Sequence, residues 1–573
     1  MNSDSYNKLR QAVSLQDLAK VLGFSSSGLA YILYAMGKKD STTRYQTFQV
    51  KKKNGGVREI KAPCSQLKSL QEKLSKLLYI CLQEINKQNN LNQSYSFAYQ
   101  PNKTHYNNAN IHKNKRYVFN IDLKDFFRSI NFGRVRGYFL NNEYFKLDPK
   151  IATIIAQIAC DDNSLPQGSP CSPIISHFIS NILDYRLSQL AKKAKCHYSR
   201  YCDDITFSTN QKEFPNIIAK PKDNIWCVGD ELRNIIERAG FKINDDKVRM
   251  SYRPSQQSVT GLVVNKRVNT SRYYRDAIRA MVHSLTRTGD FNFTKEFARD
   301  KRTVENKLNC LQGMLCYIRH VDNLSDGIAH KKLKNFKVLR AFILYHYFFA
   351  NEKVVLFGEG KTDIFHLKHY LKYRDKETIY GIPKENELLE QWRELKLLRL
   401  DSKIFDPISQ DGGTGDIKNL ITSYKKECNK FFVPKSQNPV IILVDNDMGV
   451  TKLFTSIKQM TKSKEDVDGS KDFYHIAYNL YVVALPKLNN KDTAIENFYS
   501  EDIRKIKYLD KDFSQDNGYD SKTQYGKNIF ATKIIPHNYT MVDWSNFDQI
   551  FDRIQAVIDD FNGRKLKNNA SLK

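Results

Sequence analysis

The chain has 573 residues, of which 41% are hydrophobic and 27% are charged. That much apolar sequence excludes wholesale disorder, and the length predicts about three or four domains. The 10 Cys never form a CxxC pair, which argues against a zinc ribbon or a disulfide scaffold.

Positive charge is concentrated in the front part of the chain. Residues 1–350 hold 56 Lys and Arg against 29 Asp and Glu, a net charge of +27, whereas residues 351–573 hold 35 against 33, a net charge of +2. Binding a polyanion releases its counterions, so an excess this lopsided favours a nucleic-acid partner over plain solubility charge. The sequence predicts a basic nucleic-acid-binding part joined to a near-neutral second part.

Neither a secretion signal nor a membrane span is predicted. The opening residues, MNSDSYNKLR, have no apolar run. The apolar stretch Val338–Ala350 carries Arg340 and His346 and is shorter than the ~20 residues of a membrane helix. We expect a cytoplasmic protein without membrane contact.

The predicted elements of the first part begin with short helices within residues 1–30. A hairpin around an Asn-Gly-Gly turn follows, and then a helix over 66–88. From 117 to 265, strand-like runs alternate with helical ones, which predicts a sheet backed by helices. Residues 272–350 are predicted to be mainly helical and basic.

A different pattern begins at Val354. The apolar runs VVLFG, PVIILV and LYVVAL are separated by helical stretches, which predicts a parallel sheet of strand–helix units. The predicted fold class is therefore multidomain, α/β and α+β, with a boundary near Asn351.

Three acidic residues point to phosphoryl transfer. Asp122 ends the strand in NIDLKDFF, while Asp203 and Asp204 lie in RYCDDITFS, whose flanks predict a strand–turn–strand with both carboxylates at its tip. Transfer with two divalent ions requires carboxylates from separate strands to hold the metals roughly 4 Å apart. A lone Asp-Asp pair is usually a turn, but LPQGSPCSP between the two segments favours a polymerase site with Mg²⁺ or Mn²⁺.

These motifs, in this order, resemble reverse transcriptases. NIDLKDFF resembles the first catalytic motif, LPQGSP the template-and-nucleotide motif, YCDD the catalytic hairpin (commonly YADD), and GFKINDDK the motif after it. The resemblance covers about residues 15–320. It implies a right-hand polymerase with helices and fingers in 1–110, a palm with parts of the fingers in 111–265, and a helical thumb in 266–350.

The resemblance also implies roles for single residues. Asp122 and Asp203 would be the principal metal ligands with Asp204 supporting them, and Lys247 would be a proton donor to the pyrophosphate. Further residues would contact the deoxynucleoside triphosphate: Phe127 below the sugar, where it would exclude a 2′-hydroxyl; Gln167 and Gly168 at the nucleotide and template backbone; Arg58 and Lys61 at the triphosphate. The alternatives are a core role for Phe127 and simple solvation for Arg58 and Lys61.

Two further short motifs narrow the resemblance to retron reverse transcriptases. They are an NAxxH pattern with Asn108 and His112, and a VTG pattern formed by Val259, Thr260 and Gly261. Such enzymes bind a structured RNA, prime from a 2′-hydroxyl within it, and make a branched RNA-linked single-stranded DNA. The resemblance implies that these residues bind the RNA, although His112 is equally compatible with an ordinary interface role. No ribonuclease H motif set is apparent.

A second acidic set is predicted in the back part. Glu359 stands in the strand-to-helix turn FGEGKTD, and Asp445 and Asp447 end the strand IILVDND. Because the carboxyl ends of parallel strands meet at one edge of a sheet, these carboxylates are expected to lie close together and to bind Mg²⁺ or Mn²⁺. The spacing of GEGKTD does not fit a phosphate loop.

This second pattern resembles the Toprim fold, a Rossmann-like parallel sheet, over about residues 350–500. Asp363 and Glu496, the latter in AIENFY, resemble the nuclease branch of the overcoming-lysogenization-defect type. The resemblance implies that all five acids hold metal, that Glu359 is a possible general base, and that tRNA or DNA is cut. A metal-free interaction module is the alternative.

The combined architecture, with a Toprim domain and C-terminal extension in 351–573, resembles bacterial antiphage systems with a nuclease effector. Two alternatives remain: a reverse transcriptase of a mobile element, or a Toprim domain that only binds and regulates. The candidate partners are the cognate non-coding RNA, its DNA copy and a second copy of the chain.

Overall fold

A computed structural model describes residues 4–36, 43–51, 56–89, 95–223, 225–294, 297, 306–326, 334–379, 395–399, 405, 407–408, 414–432, 438–516 and 518–570. The chain divides into two compact units, Met1–Arg272 and Tyr273–Lys573. Each unit is built around its own sheet, and each is described here by itself.

The first unit combines nine helices and eleven strands within its described residues. The helices are α1 Asp4–Gln11, α2 Leu15–Leu22, α3 Ser26–Ala30, α4 Ser65–Gln88, α5 His105–Ile111, α6 Phe132–Asn141, α7 Pro149–Ala159, α8 Ser172–Lys193 and α9 Asp230–Arg238. The strands are β1 Tyr45–Lys51, β2 Val57–Pro63, β3 Tyr117–Lys124, β4 His197–Tyr201, β5 Asp204–Thr209, β6 Ala219–Lys222, β7 Ile225–Val228, β8 Lys242–Ile243, β9 Arg249–Tyr252, β10 Ser258–Val259 and β11 Leu262–Val263.

Local sequence explains where the first helices begin and end. Ser14 and Asp17 form a reciprocal capping box at the start of α2, and Gly23 ends that helix at a φ of 66°, in the left-handed region. α1 and α2 pack against α4, whose leucines are fully buried. The predicted hairpin is present as β1 and β2, although its predicted turn residues, Asn54 and Gly55, lie outside the described residues.

The central sheet of the first unit is antiparallel. Its strand order is β4-β5-β3-β8, and β9 also pairs with β3. Buried apolar residues of β3, such as Val118, Phe119 and Ile121, join the sheet to the helices. This arrangement confirms the predicted sheet backed by helices.

The second unit surrounds a five-stranded sheet. Its described helices are α10 Arg272–Thr288, α11 Lys307–Asp326, α12 Lys334–Ile343, α13 Asp363–Ile379, α14 Thr414–Cys428, α15 Thr451–Thr461, α16 Glu501–Arg504, α17 Lys527–Ile529, α18 Ile535–Asn538 and α19 Ser545–Ala570. Its described strands are β12 Val355–Gly358, β13 Lys396–Leu397, β14 Val440–Val444, β15 Tyr474–Ala477, β16 Leu480–Ala484, β17 Asp512–Phe513 and β18 Gln524–Tyr525.

The sheet of the second unit has the order β13-β12-β14-β16-β15, with β15 antiparallel and the others parallel. Every residue of β12, β14 and β16 is buried. Alternate side chains of β14 enter separate apolar clusters, so the sheet is covered on both faces. The parallel sheet predicted from the three apolar runs is therefore present.

The helices predicted as a thumb belong to the second unit. The sequence places a boundary near residue 351, whereas the compact units divide after Arg272. The physical reason is a shared core: the Phe348 ring packs 5.6 Å from Phe357 of β12, and the Tyr345 ring packs 5.4 Å from Phe431. The thumb assignment itself stays a prediction.

In the described part of the chain, no single helix has the length and apolar character to cross a membrane. The helices Leu15–Leu22 and Ser26–Ala35, which are bent relative to each other, together have the length and apolar composition of a membrane span; this rests on length and composition alone.

Candidate active sites

The three predicted catalytic acids meet at one end of the central sheet. Asp122 of β3 stands directly opposite Asp204 of β5 in the antiparallel register. Asp203 lies in the turn between β4 and β5, and its carbonyl accepts a hydrogen bond from the amide of Leu123 at 3.0 Å. Cys202 has a φ of 60°, which makes this turn tight. The structure thus brings together the acids that the motifs predict.

Burial and neighbouring charge disfavour the charged forms of Asp203 and Asp204. Burial raises the pKa of Asp204 to about 7, and the charges of Asp203 and Asp122 add to the shift. Burial also raises the pKa of Asp203, with Asp122 adding. Carboxylate oxygens in this situation fit Mg²⁺ or Mn²⁺, which relieves the repulsion. Among the residues that the structure describes, no three acidic, His or Cys side chains are already arranged as a metal cage.

Lys247 supplies a cation at the same place. Its Nζ donates to Asp122 Oδ2 at 2.9 Å. Burial lowers the pKa of Lys247, but the hydrogen bond to Asp122 and the nearby charges outweigh burial, and the net pKa is raised. Its position agrees with a proton donor near the acids, and that role stays a prediction.

A polar cleft of about 660 Å³ opens beside these residues. Its lining includes Asp122, Asp204 and Lys247 together with Thr260 and Gly261 of the VTG motif. The structure therefore joins the polymerase motifs and the VTG motif in one cleft.

The NAxxH motif supports this cleft from inside. The Thr260 hydroxyl donates to the carbonyl of His105 at 3.0 Å, which ties the VTG motif to the start of α5, the helix that carries Asn108. Asn108 and Val259 are 1% exposed, and His112 is fully buried between the hydroxyls of Ser199 and Ser208, 2.7 Å from each. These three residues are predicted RNA contacts, but in this conformation they lie inside the protein. The placement of His112, between two strands, fits the alternative of packing between elements better than contact with RNA.

The nucleotide motifs also contact each other. The amide of Lys61 in β2 donates to the Gln167 carbonyl at 2.8 Å. Gly168 has a φ of 126°, and a Cβ there would lie 2.5 Å from the Lys61 carbonyl oxygen, so glycine is required. Lys61 Nζ is paired with Asp161 and Asp162, whereas Arg58 is exposed. Lys61 would have to leave those partners to reach a triphosphate.

Phe127 and its neighbour Phe126 have different environments. Phe126 is 3% exposed and stacks on Phe241, with ring centroids 5.5 Å apart. Phe127 is half-buried, and its ring centroid lies 6.4 Å from that of Tyr99. Tyr99 in turn lies within 3.9 Å of the Cys202 sulfur in the catalytic turn. Phe126 is thus a core residue, and Phe127 packs against the core from a half-buried position beside Tyr99.

Sequence reasoning missed a buried ion pair behind the catalytic turn. Arg200 of β4 and Asp184 of α8 are each 1% exposed and are joined by two hydrogen bonds of 2.7 and 2.6 Å. Arg200 Nη1 also donates to the Cys202 carbonyl at 2.8 Å. The available signal was Arg200 between the aromatic residues of YSRY and Asp184 among the apolar residues of ILDYRL. Arg200 holds the residue before Asp203 in place.

Comparison with known proteins agrees with this geometry. The profile of the family described as Reverse transcriptase (RNA-dependent DNA polymerase) matches residues 50–265. Retron Mx65 reverse transcriptase of Myxococcus xanthus is 30% identical over 53% of this chain and 67% of its own length. Retron Ec73 reverse transcriptase of Escherichia coli is 32% identical over 48% of this chain and 82% of its own length.

This chain belongs to the retron reverse transcriptases.

The retron reverse transcriptase is an RNA-directed DNA polymerase, and its family profile spans the three acids of the first unit. Among solved structures, telomerase from Candida albicans with a fragment of telomeric RNA aligns over 52% of this chain and 59% of the telomerase chain. Its TM-score is 0.29 and its identity 12%, too little to carry an argument. The family profile ends before the second acidic set of the retron reverse transcriptase.

That second set lies at the carboxyl edge of the parallel sheet. Glu359 follows β12, and its amide donates to the Leu443 carbonyl of β14 at 2.9 Å. Asp445 and Asp447 follow β14. The Asp363 carboxylate accepts from the Gly360 amide at 2.7 Å, and a Cβ on Gly358 or Gly360 would collide with it. The glycines therefore allow Asp363 to lie against the turn.

The electrostatics show which members of the set are close. Burial raises the pKa of Asp445 to about 8, with Asp363 and Glu496 adding. Burial also raises the pKa of Asp363 to about 6, and it raises that of Glu359. Within the described residues, Glu359 Oε2 and Glu496 Oε1 are buried without a hydrogen-bond donor. Asp447 is exposed and accepts from the Gly449 amide at 2.8 Å.

Lys527 completes this cluster and was not predicted. It comes from the C-terminal extension, and its Nζ lies 3.2 Å from Glu496 Oε2. Burial lowers the pKa of Lys527, but Glu496, Asp445 and Asp363 outweigh burial and raise it overall. It begins the short helix α17, and a single Lys at such a position gives no sequence signal. Buried carboxylate oxygens that accept no hydrogen bond and repel one another are suitable ligands for a divalent cation.

Proposed function

We propose that the first unit copies a cognate structured RNA into branched, RNA-linked single-stranded DNA, primed from a 2′-hydroxyl of that RNA. The observation that carries this proposal is the cleft in which Asp122 and Asp204 face Thr260 and Gly261. A hydroxyl of an RNA held by the VTG hairpin would lie beside the acids. The relatives, which are retron reverse transcriptases, support the same conclusion.

Asp122, Asp203 and Asp204 would hold Mg²⁺ or Mn²⁺. When bound, the ions lower the pKa of the attacking hydroxyl and neutralise charge on the pyrophosphate. Lys247 would give its proton to the pyrophosphate, and its ion pair with Asp122 keeps it in place.

The remaining residues bind and select the nucleotide. Phe127 would exclude a 2′-hydroxyl, so that deoxynucleoside triphosphates are used. Arg58 and Lys61 would hold the triphosphate, and Gln167 and Gly168 would approach the nucleotide and template. The close contact of Gly168 with β2 supports a shared role of these segments.

The test is DNA synthesis by the purified chain on its cognate RNA alone. The expected product carries its DNA on an internal ribonucleotide, so ribonuclease shortens it and leaves a branched remnant. Asp203→Asn should abolish it. Linear DNA with a free 5′ end would contradict priming from a 2′-hydroxyl.

We propose further that the second unit is a Toprim-type nuclease that cuts tRNA or DNA as the effector of antiphage defence. Buried, mutually repelling acids at the carboxyl edge of a parallel sheet support it. Glu359, Asp363, Asp445, Asp447 and Glu496 would hold the cation, and Glu359 would take a proton from water as the general base.

The test of the nuclease is cleavage of tRNA and of DNA by the purified chain in Mg²⁺ or Mn²⁺. Wild type should cleave one of them, and Asp445→Asn should not. If neither is cut and Asp445→Asn still protects cells against phage, the unit acts as a binding or regulatory module.

A further inference from the structure

The residue between two acids of the second acidic set is an asparagine, in the sequence Asp445-Asn446-Asp447. Asp445 is half-buried and Asp447 is exposed, whereas Asn446 is 2% exposed. The segment continues from β14 in extended form, since Asn446 forms a β-bridge with Thr493. Successive side chains of an extended segment point to opposite faces. The two acids therefore share one face, and Asn446 points away from them into the protein.

The Asn446 side chain continues the pairing of β14 with β16 beyond the ends of both strands. The Leu485 amide donates to the Val444 carbonyl at 2.9 Å, and Asn446 Nδ2 donates to the Leu485 carbonyl at 3.0 Å. The same Nδ2 also donates to the Gly469 carbonyl at 3.3 Å. Both hydrogens of the side-chain amide are thus used inside the protein, which fixes the backbone between the two acids.

The loop at Gly469 fits closely around this side chain. Gly469 has a φ of 80°, and a Cβ there would lie 2.6 Å from both Nδ2 and Oδ1 of Asn446, so glycine is required. Arg553 of α19 donates to the Gly469 carbonyl at 3.1 Å and to the Ala484 carbonyl of β16 at 2.8 Å. The Gly469 amide donates to the Tyr474 hydroxyl of β15 at 2.9 Å. These contacts hold the loop against Asn446.

The backbone of Asn446 connects the two acids to the segment that carries Glu496. Asn446 and Thr493 exchange two backbone hydrogen bonds of 2.8 and 3.0 Å. Thr493 is 1% exposed, and Glu496 follows in a turn that begins with a hydrogen bond of 2.8 Å from the Ala494 amide to Asn497 Oδ1. The position of Thr493 therefore restricts that of Glu496. Asn446 thus relates acids that lie on two separate segments.

We propose that Asn446 is a positioning residue that holds the two neighbouring acids and Glu496 in the arrangement that binds a divalent cation. This inference rests on the proposed metal site of the second unit. Carboxylates that repel one another move apart unless their segments are tied together. The hydrogen bonds of Asn446 supply that tie before the cation binds. Residues that orient metal ligands typically contribute about 10- to 100-fold to metal affinity.

The test measures the affinity of the full chain for Mn²⁺, with free Mn²⁺ counted by electron paramagnetic resonance. Every protein in the test carries Asp203→Asn/Asp204→Asn, which removes two of the three acids of the first unit and leaves the second set to report. Asn446→Ala deletes the side-chain amide. Gly469→Ala displaces the same amide by steric overlap while Asn446 itself stays in place.

The matched control is Asn479→Ala. Asn479 is fully buried, and its Nδ2 donates to the carbonyls of Phe348 and Asn438 at 2.8 Å each. It immediately precedes β16, whereas Asp445 follows β14, and these two strands are parallel. The control therefore deletes a comparable buried amide at the opposite edge of the same sheet.

Asn446→Ala and Gly469→Ala should each bind Mn²⁺ about tenfold or more weakly, whereas Asn479→Ala should keep the affinity of the parent chain. Without metal, the melting temperature should fall in all three variants, because each disturbs buried hydrogen bonds. Mn²⁺ should raise the melting temperature of Asn479→Ala as much as that of the parent chain, and that of Asn446→Ala less.

Asp445→Asn in the same background separates this inference from the proposed function. If Asp445→Asn leaves the affinity for Mn²⁺ unchanged, the second acidic set is not a metal site, and the proposed function and the inference both fail. If Asp445→Asn lowers the affinity and Asn446→Ala does not, the inference alone is wrong and Asn446 only stabilises the fold. An equal loss of affinity in Asn479→Ala would also overturn the inference, because the loss would then follow from instability.

Discussion

At the scale of single residues, neighbours in the chain have separate tasks because the backbone turns each to a different environment. Phe126 fills the core, whereas Phe127 remains half-buried near Tyr99 and the catalytic turn. The same division separates Thr260, which lines the cleft, from Val259, which is buried.

Substitution of Phe127 should relax the choice of sugar. Phe127→Ala is expected to raise the relative kcat/KM for ribonucleoside over deoxynucleoside triphosphates by about 10- to 100-fold, a change of about 1.4–2.8 kcal/mol in discrimination. Single-nucleotide incorporation with each substrate measures it. The core substitution Phe126→Leu serves as the control and should lower stability without this change. Unaltered discrimination in Phe127→Ala would assign the selection to another residue.

His112 should make the local stability of the catalytic hairpin sensitive to acid. Burial lowers its pKa from the ordinary value of 6.5 to about 3, and the positive charges of His197 and Lys115 add to the shift. Between pH 6.5 and pH 3 the unfolded state binds a proton at His112 that the folded state does not bind. The free energy of unfolding therefore falls as the pH drops below 6.5. The loss is about 1.4 kcal/mol per pH unit.

Amide hydrogen exchange of β4 and β5 in the full chain, corrected for intrinsic rates, measures this effect at pH 7.5 and pH 5.5. Wild type should lose more protection than His112→Gln over that interval. The same pH dependence in both proteins would exclude His112 as the source.

At the scale of elements, β4 and α8 are joined by the Arg200–Asp184 pair, and that pair determines the geometry of the turn that carries Asp203. Removing one partner leaves a buried charge, which costs about 3–5 kcal/mol, whereas replacing both with apolar residues restores most of the stability. The double replacement still leaves the Cys202 carbonyl without its donor and the buried Tyr198 hydroxyl without its acceptor, Asp184 Oδ1.

Arg200→Met/Asp184→Leu is therefore expected to fold and yet to polymerise at least about tenfold more slowly, with the loss in kcat and little change in KM for the nucleotide. Arg200→Met alone should be the less stable protein. Lys193→Met/Glu231→Leu, which removes an exposed pair that joins α8 and α9, is the matched control. A double variant with the wild-type kcat would reduce Arg200 to a purely structural residue.

The elements that chemistry restricts were predictable, and those that depend on long-range packing were not. Acids near strand ends carry short local motifs, so the sequence predicted that Asp122, Asp203 and Asp445 lie at the edges of sheets. Arg200 and Asp184 find each other only after a helix packs on a strand, and Lys527 joins an acidic set far from it in sequence. The boundary at residue 351 missed the shared core of Phe348 and Phe357 for the same reason.

At the scale of the whole molecule, two compact units carry two acidic clusters on one chain. Most of the net charge lies in residues 1–350, which comprise the first unit and the helices α10, α11 and α12 of the second. The two clusters share no residue, so substitutions should separate their activities.

Glu359→Gln is expected to abolish protection against phage while DNA synthesis continues at the wild-type rate. Asp203→Asn should abolish DNA synthesis. Phage plaque counts and labelled-DNA gels on the same strains measure the two effects. Protection that survives Glu359→Gln would argue against a nuclease effector and favour a regulatory second unit.

The central claim is that the polymerase makes a branched, RNA-linked DNA, and the nucleic acid that co-purifies with the chain from its native host tests it most directly. Wild type should carry a discrete DNA that shortens with ribonuclease, is destroyed by deoxyribonuclease, and remains attached to a branched ribonucleotide. Asp203→Asn/Asp204→Asn should carry the RNA without the DNA. Heterogeneous, unbranched DNA with free 5′ ends, or a branched DNA that persists in the variant, would contradict the claim.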